Sequence, residues 1–180
     1  MKIKKLVILL FLIPELANAQ SKFGTEMAII LSNMKTYTLE VVELMPPEKY
    51  MFKPYDSART FMEEVDHMSK ILEFQTKYIL GGQGEFKEQR ELIILAPVPK
   101  TKSEALSAFE TRFDESIALM NSLDESEFDE EFTFFFFRGQ PVKTKRTIAM
   151  GLRDHVTHHR SKLVLYLRMN GIEPPFYQIF

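Results

Sequence analysis

Hydrophobic residues recur every three or four positions along four stretches of this chain, with polar residues between them. That spacing places them on one face of an α-helix, because a helix turns once in about 3.6 residues. The pattern therefore predicts four amphipathic helices, over residues 21–44, 57–80, 103–122 and 144–170.

Residues that start or stop helices support these limits. Met45-Pro46-Pro47 ends the first helix, since proline disfavours helix in the residue before it, and Gly81-Gly82 ends the second. Ser103 is the predicted N-cap of the third helix. Gly171 follows the fourth helix at the position where glycine commonly terminates one.

The predicted fold class is all-α, a four-helix bundle. Residues 81–102 form a long connection that permits a crossover, and long connections are usually functional or mobile. Before the last helix, the phenylalanines around Thr133 favour a short β-hairpin turning near Arg138-Gly139, or alternatively an irregular buried segment.

The first 19 residues follow a different pattern. Three lysines, an apolar run over residues 6–13 and the small-residue site Ala17-Asn18-Ala19 are the three parts of a secretory signal peptide. The apolar run is shorter than the roughly 20 residues of a membrane-spanning helix, which disfavours a membrane anchor. We therefore expect residues 1–19 to be a signal peptide. Residues 20–180 would then be one exported domain, periplasmic or secreted, with no membrane attachment after cleavage.

Charge and composition narrow the chemistry. Three of the 23 basic residues and one of the 25 acidic residues lie in the predicted signal peptide, so the remaining chain has a formal charge of −4. That charge argues against a nucleic acid as the main partner, because nucleic acids favour a basic surface. The chain has no cysteine, so disulfides, a thiol nucleophile and thiolate metal ligands are all excluded.

Three of the four histidines lie together on the fourth predicted helix. His155 and His159 fall in the middle of its hydrophobic face, whereas His158 falls about 100° away from that face. His67 falls at the edge of the second helix's hydrophobic face. Two inward-facing imidazoles one turn apart are within reach of one divalent ion. They are equally consistent with core-edge residues satisfied by hydrogen bonds, and the spacing does not show that His67 joins them.

The familiar catalytic motifs are absent. His-x-x-x-His occurs in zinc peptidases, where a glutamate directly follows the first histidine, but Val156 stands at that position here. The sequence also lacks the GxSxG, P-loop and dinucleotide-binding patterns.

Two segments resemble a known family. "HVTHHRSKLVLYLRMNGIEPP" is similar to the closing signature of the DinB-like superfamily, in which a His-x-x-x-His-Arg helix leads into a Tyr-Leu-Arg…Gly…Pro-Pro end. "SARTFMEEVDHMSKILEF" resembles that family's second helix, with Arg59 early and a histidine at its centre. The usual His-Arg-Gly-Gln reads His159-Arg160-Ser161-Lys162 in this chain.

The resemblance implies a four-helix bundle of DinB-like type with a long crossover, and one divalent metal ion bound by three histidines. Carried onto this chain, those ligands are His67, His155 and His159, and His158 is not one of them. Zinc or nickel is the expected metal, with iron or manganese as alternatives. Family members of known activity include thiol-dependent S-transferases and a maleylpyruvate isomerase. Many members dimerise, so the resemblance also suggests a homodimer.

Two functions are consistent with these observations. The first is a metal-dependent hydrolase or transferase for a small molecule that the sequence does not identify. Its catalytic residues are unassigned, but Glu64, Arg59 and Tyr166 are candidate helpers, and Arg160 is a candidate anion site. The simpler interpretations are a solvated position for Glu64 and a surface ion pair for Arg160. The alternative function is a non-catalytic bundle that binds a metal or a small ligand, and a cleft leading to the histidines would favour the enzyme.

Overall fold

The computed structural model describes residues 21–133 and 142–177. The predicted signal peptide and the predicted turn at Arg138-Gly139 both lie outside the described residues. No helix in these two ranges is long and apolar enough to cross a membrane. The helices and strands of the described chain are α1 Lys22–Leu44, α2 Phe61–Phe74, α3 Phe86–Gln89, α4 Lys102–Ser122, β1 Glu131–Thr133, β2 Val142–Thr144 and α5 Lys145–Met169.

The four long helices α1, α2, α4 and α5 form the predicted bundle. α1 packs against α4 and α5, and α2 packs against the same two helices, so α1 and α2 occupy opposite corners. The predicted hydrophobic stripes supply the centre of the core, which includes the fully buried residues Met34, Val41, Phe61, Val65, Met68, Leu72, Phe109, Phe113 and Leu163. The all-α bundle expected from the periodicity is therefore confirmed.

Gly24 permits a close approach between the start of α1 and the end of α4. A Cβ atom at this position would lie 2.3 Å from the backbone oxygen of Met120. Only a residue without a side chain fits there unless the two helices separate.

A hydroxyl side chain caps the N-terminus of each long helix. Ser21 Oγ accepts a hydrogen bond from the Gly24 amide at 2.9 Å, and Thr144 Oγ1 accepts one from the Thr147 amide at 3.2 Å. These bonds satisfy amide groups that have no partner within the helix.

Reciprocal capping boxes fix the starts of α2 and α4. Thr60 pairs with Glu63 at α2, and Thr101 pairs with Glu104 at α4. The prediction of Ser103 as N-cap is therefore wrong, because Thr101 and Glu104 together satisfy two amides where Ser103 would satisfy one.

α5 ends as predicted at Gly171. Gly171 has a φ angle of +72°, which glycine adopts at little cost. Its amide donates to the Arg168 carbonyl at 3.0 Å, and the Ile172 amide donates to the Leu167 carbonyl at 3.0 Å. This pair of bonds is the Schellman arrangement that closes a helix.

The second predicted helix differs at both ends from its predicted limits. It begins at Phe61 rather than near residue 57, since Thr60 is its cap. After Phe74 the chain continues as a π-helical turn, Gln75–Leu80, before Gly81. Hydrophobic spacing over so few residues does not separate a π-turn from an α-helix, so the sequence did not predict this change.

The long connection between α2 and α4 packs against the bundle. It contains α3 and a second π-turn, Arg90–Ile94. The buried Lys70 ammonium pairs with Asp66 at 2.7 Å and also donates to the backbone oxygen of Ala96. This contact fastens the connection to the side of α2.

The hairpin predicted before the last helix is confirmed in its strands. β1 and β2 are antiparallel, with Glu131 opposite Thr144 and Phe132 opposite Lys143. The Phe132 ring contacts the Tyr78 ring edge-on, with centroids 5.4 Å apart, which packs the hairpin beside the π-turn that follows α2.

Candidate metal site

Three imidazoles from two helices meet between α2 and α5. His155 and His159 lie one turn apart on α5, with ring centroids 4.4 Å apart. His67 reaches them from α2, with its ring centroid 5.2 Å from His155 and 4.5 Å from His159. The packing of α2 against α5 therefore brings His67 to the pair, which the spacing alone did not establish.

The three side chains can hold one metal ion. Each offers a ring nitrogen, and these three atoms lie within 4.8 Å of one another. His159 is buried, and His67 and His155 are half-buried. Imidazole nitrogens bind zinc at about 2.0–2.1 Å, so a modest approach of the rings would complete such a site.

A buried carboxylate orients one of these rings. Glu64 lies one turn before His67 on α2 and is 3% exposed. Its Oε2 atom is 2.7 Å from His159 Nδ1. The interpretation of Glu64 as a solvated residue is therefore wrong, and the signal that was available is its position on the same helical face as His67.

The charge state of Glu64 decides the direction of that hydrogen bond. Burial by itself would raise the pKa of the carboxyl, but the hydrogen bond with His159 and the charges of Lys162 and Arg59 lower the pKa to about 2. An ionised carboxylate only accepts, so His159 Nδ1 donates. In a neutral imidazole the lone pair then lies on Nε2, the nitrogen available to a metal.

The other two imidazoles resist protonation. Burial, followed by the charge of Arg59, lowers the pKa of His67 to about 4. Burial also lowers the pKa of His155 to about 3. Both rings are therefore neutral at neutral pH, and neutral imidazole is the form that binds metals.

The donor set fits a divalent ion on two further grounds. His155 Nδ1 is buried and has no hydrogen-bond partner, which is a costly condition for a polar atom. The hydrogen bond from His159 to Glu64 has the form that metal-bound histidines usually make with a carboxylate.

The remaining predicted residues separate into those near the histidines and those away from them. His158 is exposed and outside the cluster, as its helical position predicted. Arg59 Nη1 lies 3.9 Å from Glu64 Oε2, and the Tyr166 hydroxyl donates to the Arg59 backbone oxygen at 3.0 Å. Arg59 thus contributes charge beside Glu64, and Tyr166 holds the segment that carries it.

Arg160 is not the surface ion pair that the sequence suggested. It is 3% exposed and faces α1, with its guanidinium 4.8 Å from the Tyr37 ring centroid and 3.4 Å from Thr38 Oγ1. The preceding residue, His159, faces α2 instead, as expected for adjacent helix residues that point about 100° apart. Arg160 therefore belongs to the packing of α5 on α1.

Comparisons with known proteins agree with this architecture. The sequence profile of the DinB superfamily matches residues 30–162, a range that contains all three clustered histidines. The chain belongs to the DinB superfamily. None of the curated proteins matches the chain.

Two solved structures share the DinB fold with this chain. A DinB-like protein from Bacillus subtilis is 20% identical, with a TM-score of 0.68, and the match covers 86% of this chain and 99% of that one. A DinB-like protein from Bacillus cereus is 15% identical, with a TM-score of 0.68 and coverage of 88% and 99%.

A cleft opens beside the histidines of this DinB chain. It has a volume of about 660 Å³ and is lined by residues of α5, by Lys143 of β2 and by Gln75, and it reaches the cluster at His155. Sequence reasoning did not single out Gln75, because nothing in the local pattern marks it.

Proposed function

We propose that this protein binds one divalent metal ion through His67, His155 and His159 and acts as a metal-dependent hydrolase or transferase on a small molecule. The observation that carries the proposal is the buried Glu64–His159 hydrogen bond at 2.7 Å within a cluster of three imidazoles. A buried carboxylate at this position serves a metal ligand well, because it fixes the ring orientation and makes the imidazole more basic.

Zinc and nickel are the proposed metals. An all-nitrogen donor set of three imidazoles suits zinc, nickel, copper and iron better than it suits magnesium or calcium, which prefer oxygen ligands. The DinB family resemblance points to the same two metals.

Three protein ligands support a catalytic site rather than a structural one. Structural zinc sites usually have four protein ligands, whereas three leave a position for water or substrate. When bound, such an ion would lower the pKa of water or polarise a substrate oxygen. The cleft that reaches His155 supplies an entry path from solvent.

Elemental analysis of the purified, untagged protein tests the metal site. We expect about one equivalent of zinc, nickel, iron or manganese in the wild type, and loss of that metal in His155→Ala. His158→Ala is the matched control, because it makes the same change three residues along the same helix at an exposed position. Absence of metal from the wild type after reconstitution, or equal loss in both variants, would contradict the proposal.

Activity assays separate the enzyme from the non-catalytic alternative. The metal-loaded and chelator-stripped protein would be compared on panels of ester, amide and thiol-transfer substrates. Turnover that requires both the metal and His155 supports the enzyme. A loaded protein that turns over none of these substrates would favour a metal- or ligand-binding bundle.

Export is part of the proposal and rests on residues 1–19. Their basic, apolar and small-residue parts are those of a signal peptide. Expression of the full chain in a Gram-negative host, followed by fractionation and N-terminal sequencing, tests this directly. We expect periplasmic protein that begins at Gln20, and cytoplasmic protein that retains Met1 would rule out export.

A further inference from the structure

The histidine cluster has two different sides. On one side Glu64 is enclosed, with Lys162 Nζ at 3.4 Å and Arg59 at 3.9 Å from its oxygens. On the other side lies the cleft, to which His155 contributes and the buried His159 does not. A molecule approaching the cluster through this cleft therefore meets His155 and the residues that surround it.

Gln75, a residue of the cleft wall, carries an unsatisfied acceptor just beneath the cleft surface. Its Oε1 atom is buried and has no hydrogen-bond partner, and among the described residues the only other such side-chain atom is His155 Nδ1. Both residues line the same cleft. A buried acceptor without a donor costs about 1–3 kcal/mol, so a protein rarely keeps one without a use.

The backbone beside Gln75 is unusual and firmly held. Gln75 is the first residue of the π-helical turn that follows α2. The next residue, Thr76, has its hydroxyl 2.7 Å from Ser116 Oγ of α4, inside the core. Single π-turns in helices frequently occur at functional sites, because they redirect side chains that an α-helix would place elsewhere.

We propose that Gln75 is a positioning residue whose side-chain amide, at the wall of the cleft, rotates so that Oε1 accepts a hydrogen bond from an N–H or O–H group of the molecule that occupies the cleft beside the metal. This inference rests on the proposed function and adds a substrate class to it. The substrate would carry an amide or hydroxyl donor next to its metal-binding atom. Apolar groups of Ile148 and Met150 in the cleft wall would contact the rest of it.

Cobalt(II)-substituted protein and a matched pair of probes test this role. Imidazole and 1-methylimidazole both bind metals through one nitrogen, but only imidazole carries an N–H donor. Their dissociation constants follow from the visible absorption of the cobalt in the wild type and in Gln75→Met, which keeps side-chain length and removes the acceptor. Gln75→Leu is the second variant should Gln75→Met fail to fold. Gln83→Met is the control, because it makes the same change at an exposed position outside the cleft.

We expect the wild type to bind imidazole more tightly than 1-methylimidazole, and only the Gln75 variants to lose this preference. We expect the ratio of the two dissociation constants to change by about fivefold in Gln75→Met, the size of one hydrogen bond, and to stay unchanged in Gln83→Met. An unchanged ratio in Gln75→Met, or equal weakening of both probes, would overturn the positioning role while leaving the metal site intact. Failure of the wild type to bind cobalt would overturn the proposed function itself, and the two failures are thus distinct.

Discussion

Glu64 links α2 to α5 at the site by a hydrogen bond. It accepts a hydrogen bond from His159 of α5 while its own helix carries His67. Its carboxylate also pairs with Lys162 at 3.4 Å and with Arg59 at 3.9 Å. Removing that charge should therefore affect metal binding without removing a ligand.

Glu64→Gln should weaken metal binding by about 10–100-fold, because the amide does not sustain the charge-assisted hydrogen bond to His159. A competition titration against a chromophoric chelator measures the effect. Glu40→Gln is a suitable control, since Glu40 is exposed on α1. Equal affinity in the two variants would show that Glu64 has no part in the site.

Stability of the metal-free protein should depend on the neutral state of His67 and His155. Their pKa values are about 4 and about 3 in the folded protein, against about 6.5 in the unfolded chain. As the pH falls below about 6.5, the unfolded chain binds protons that the folded protein refuses, so the free energy of unfolding falls toward pH 4.

Urea unfolding at pH 7 and pH 5, with a chelator present, measures this loss. His67→Leu should show a smaller loss between the two pH values, because one of the two shifted imidazoles is gone. Glu64 has the same sign of effect at lower pH: its pKa is about 2 in the folded protein against about 4.5 in the unfolded chain, so its contribution is lost mainly below about pH 4.5 and adds little between pH 7 and pH 5. An identical loss in wild type and variant would contradict the explanation.

The sequence could predict part of this site and not the rest. The spacing of His155 and His159 required a shared helical face, which is local information. Bringing His67 to them depends on how α2 packs on α5, and only the family resemblance pointed to it. The burial of Gln75 Oε1 without a hydrogen-bond partner results from a π-turn and from packing, and neither of these leaves a pattern in the local sequence.

Helix limits follow from caps more than from hydrophobic spacing. α4 illustrates this, because its periodicity placed the start near Ser103 while the structure caps it with Thr101. Glu104 Oε2 accepts from the Thr101 amide at 3.2 Å, and Thr101 Oγ1 accepts from the Glu104 amide at 3.2 Å. The start of α4 is therefore set by the pair Thr101 and Glu104, and not by Ser103, which has a suitable side chain but does not cap the helix.

Thr101→Ala should lower the free energy of unfolding by about 1 kcal/mol, because it removes the N-cap acceptor. Ser103→Ala should change it by less than about 0.5 kcal/mol, since Ser103 is exposed inside the first turn. Chemical denaturation of both variants in parallel provides the measurement. A larger loss of stability in Ser103→Ala than in Thr101→Ala would show that Ser103 is the N-cap.

At the scale of the whole molecule, α1 approaches the backbone of α4 closely at Gly24. Gly24→Ala should lower the free energy of unfolding by about 1–3 kcal/mol, because the new methyl group would lie 2.3 Å from the Met120 oxygen. Gly151→Ala is the matched control in α5, where an added Cβ meets nothing within 4 Å. That change should stabilise the protein by about 1 kcal/mol, as alanine usually does in a helix. Similar values for both variants would contradict the close packing of α1 on α4.

The bundle as a whole was predictable because four stripes of three-and-four spacing require four buried faces. Which helices become neighbours was not predictable from those stripes, since each apolar face is compatible with any other. The arrangement with α1 and α2 at opposite corners is a property of the packed chain, and it is this arrangement that sets α2 beside α5.

All three clustered histidines come from α2 and α5, while α1 and α4 supply none of them. The candidate metal ligands therefore lie on one pair of helices, and α1 and α4 support that pair by packing against it. Substitutions in α1 and α4 can raise or lower the free energy of unfolding while the three histidines stay the same. The faces of α1 and α4 that point away from α2 and α5 can therefore be redesigned for stability without changing any candidate ligand.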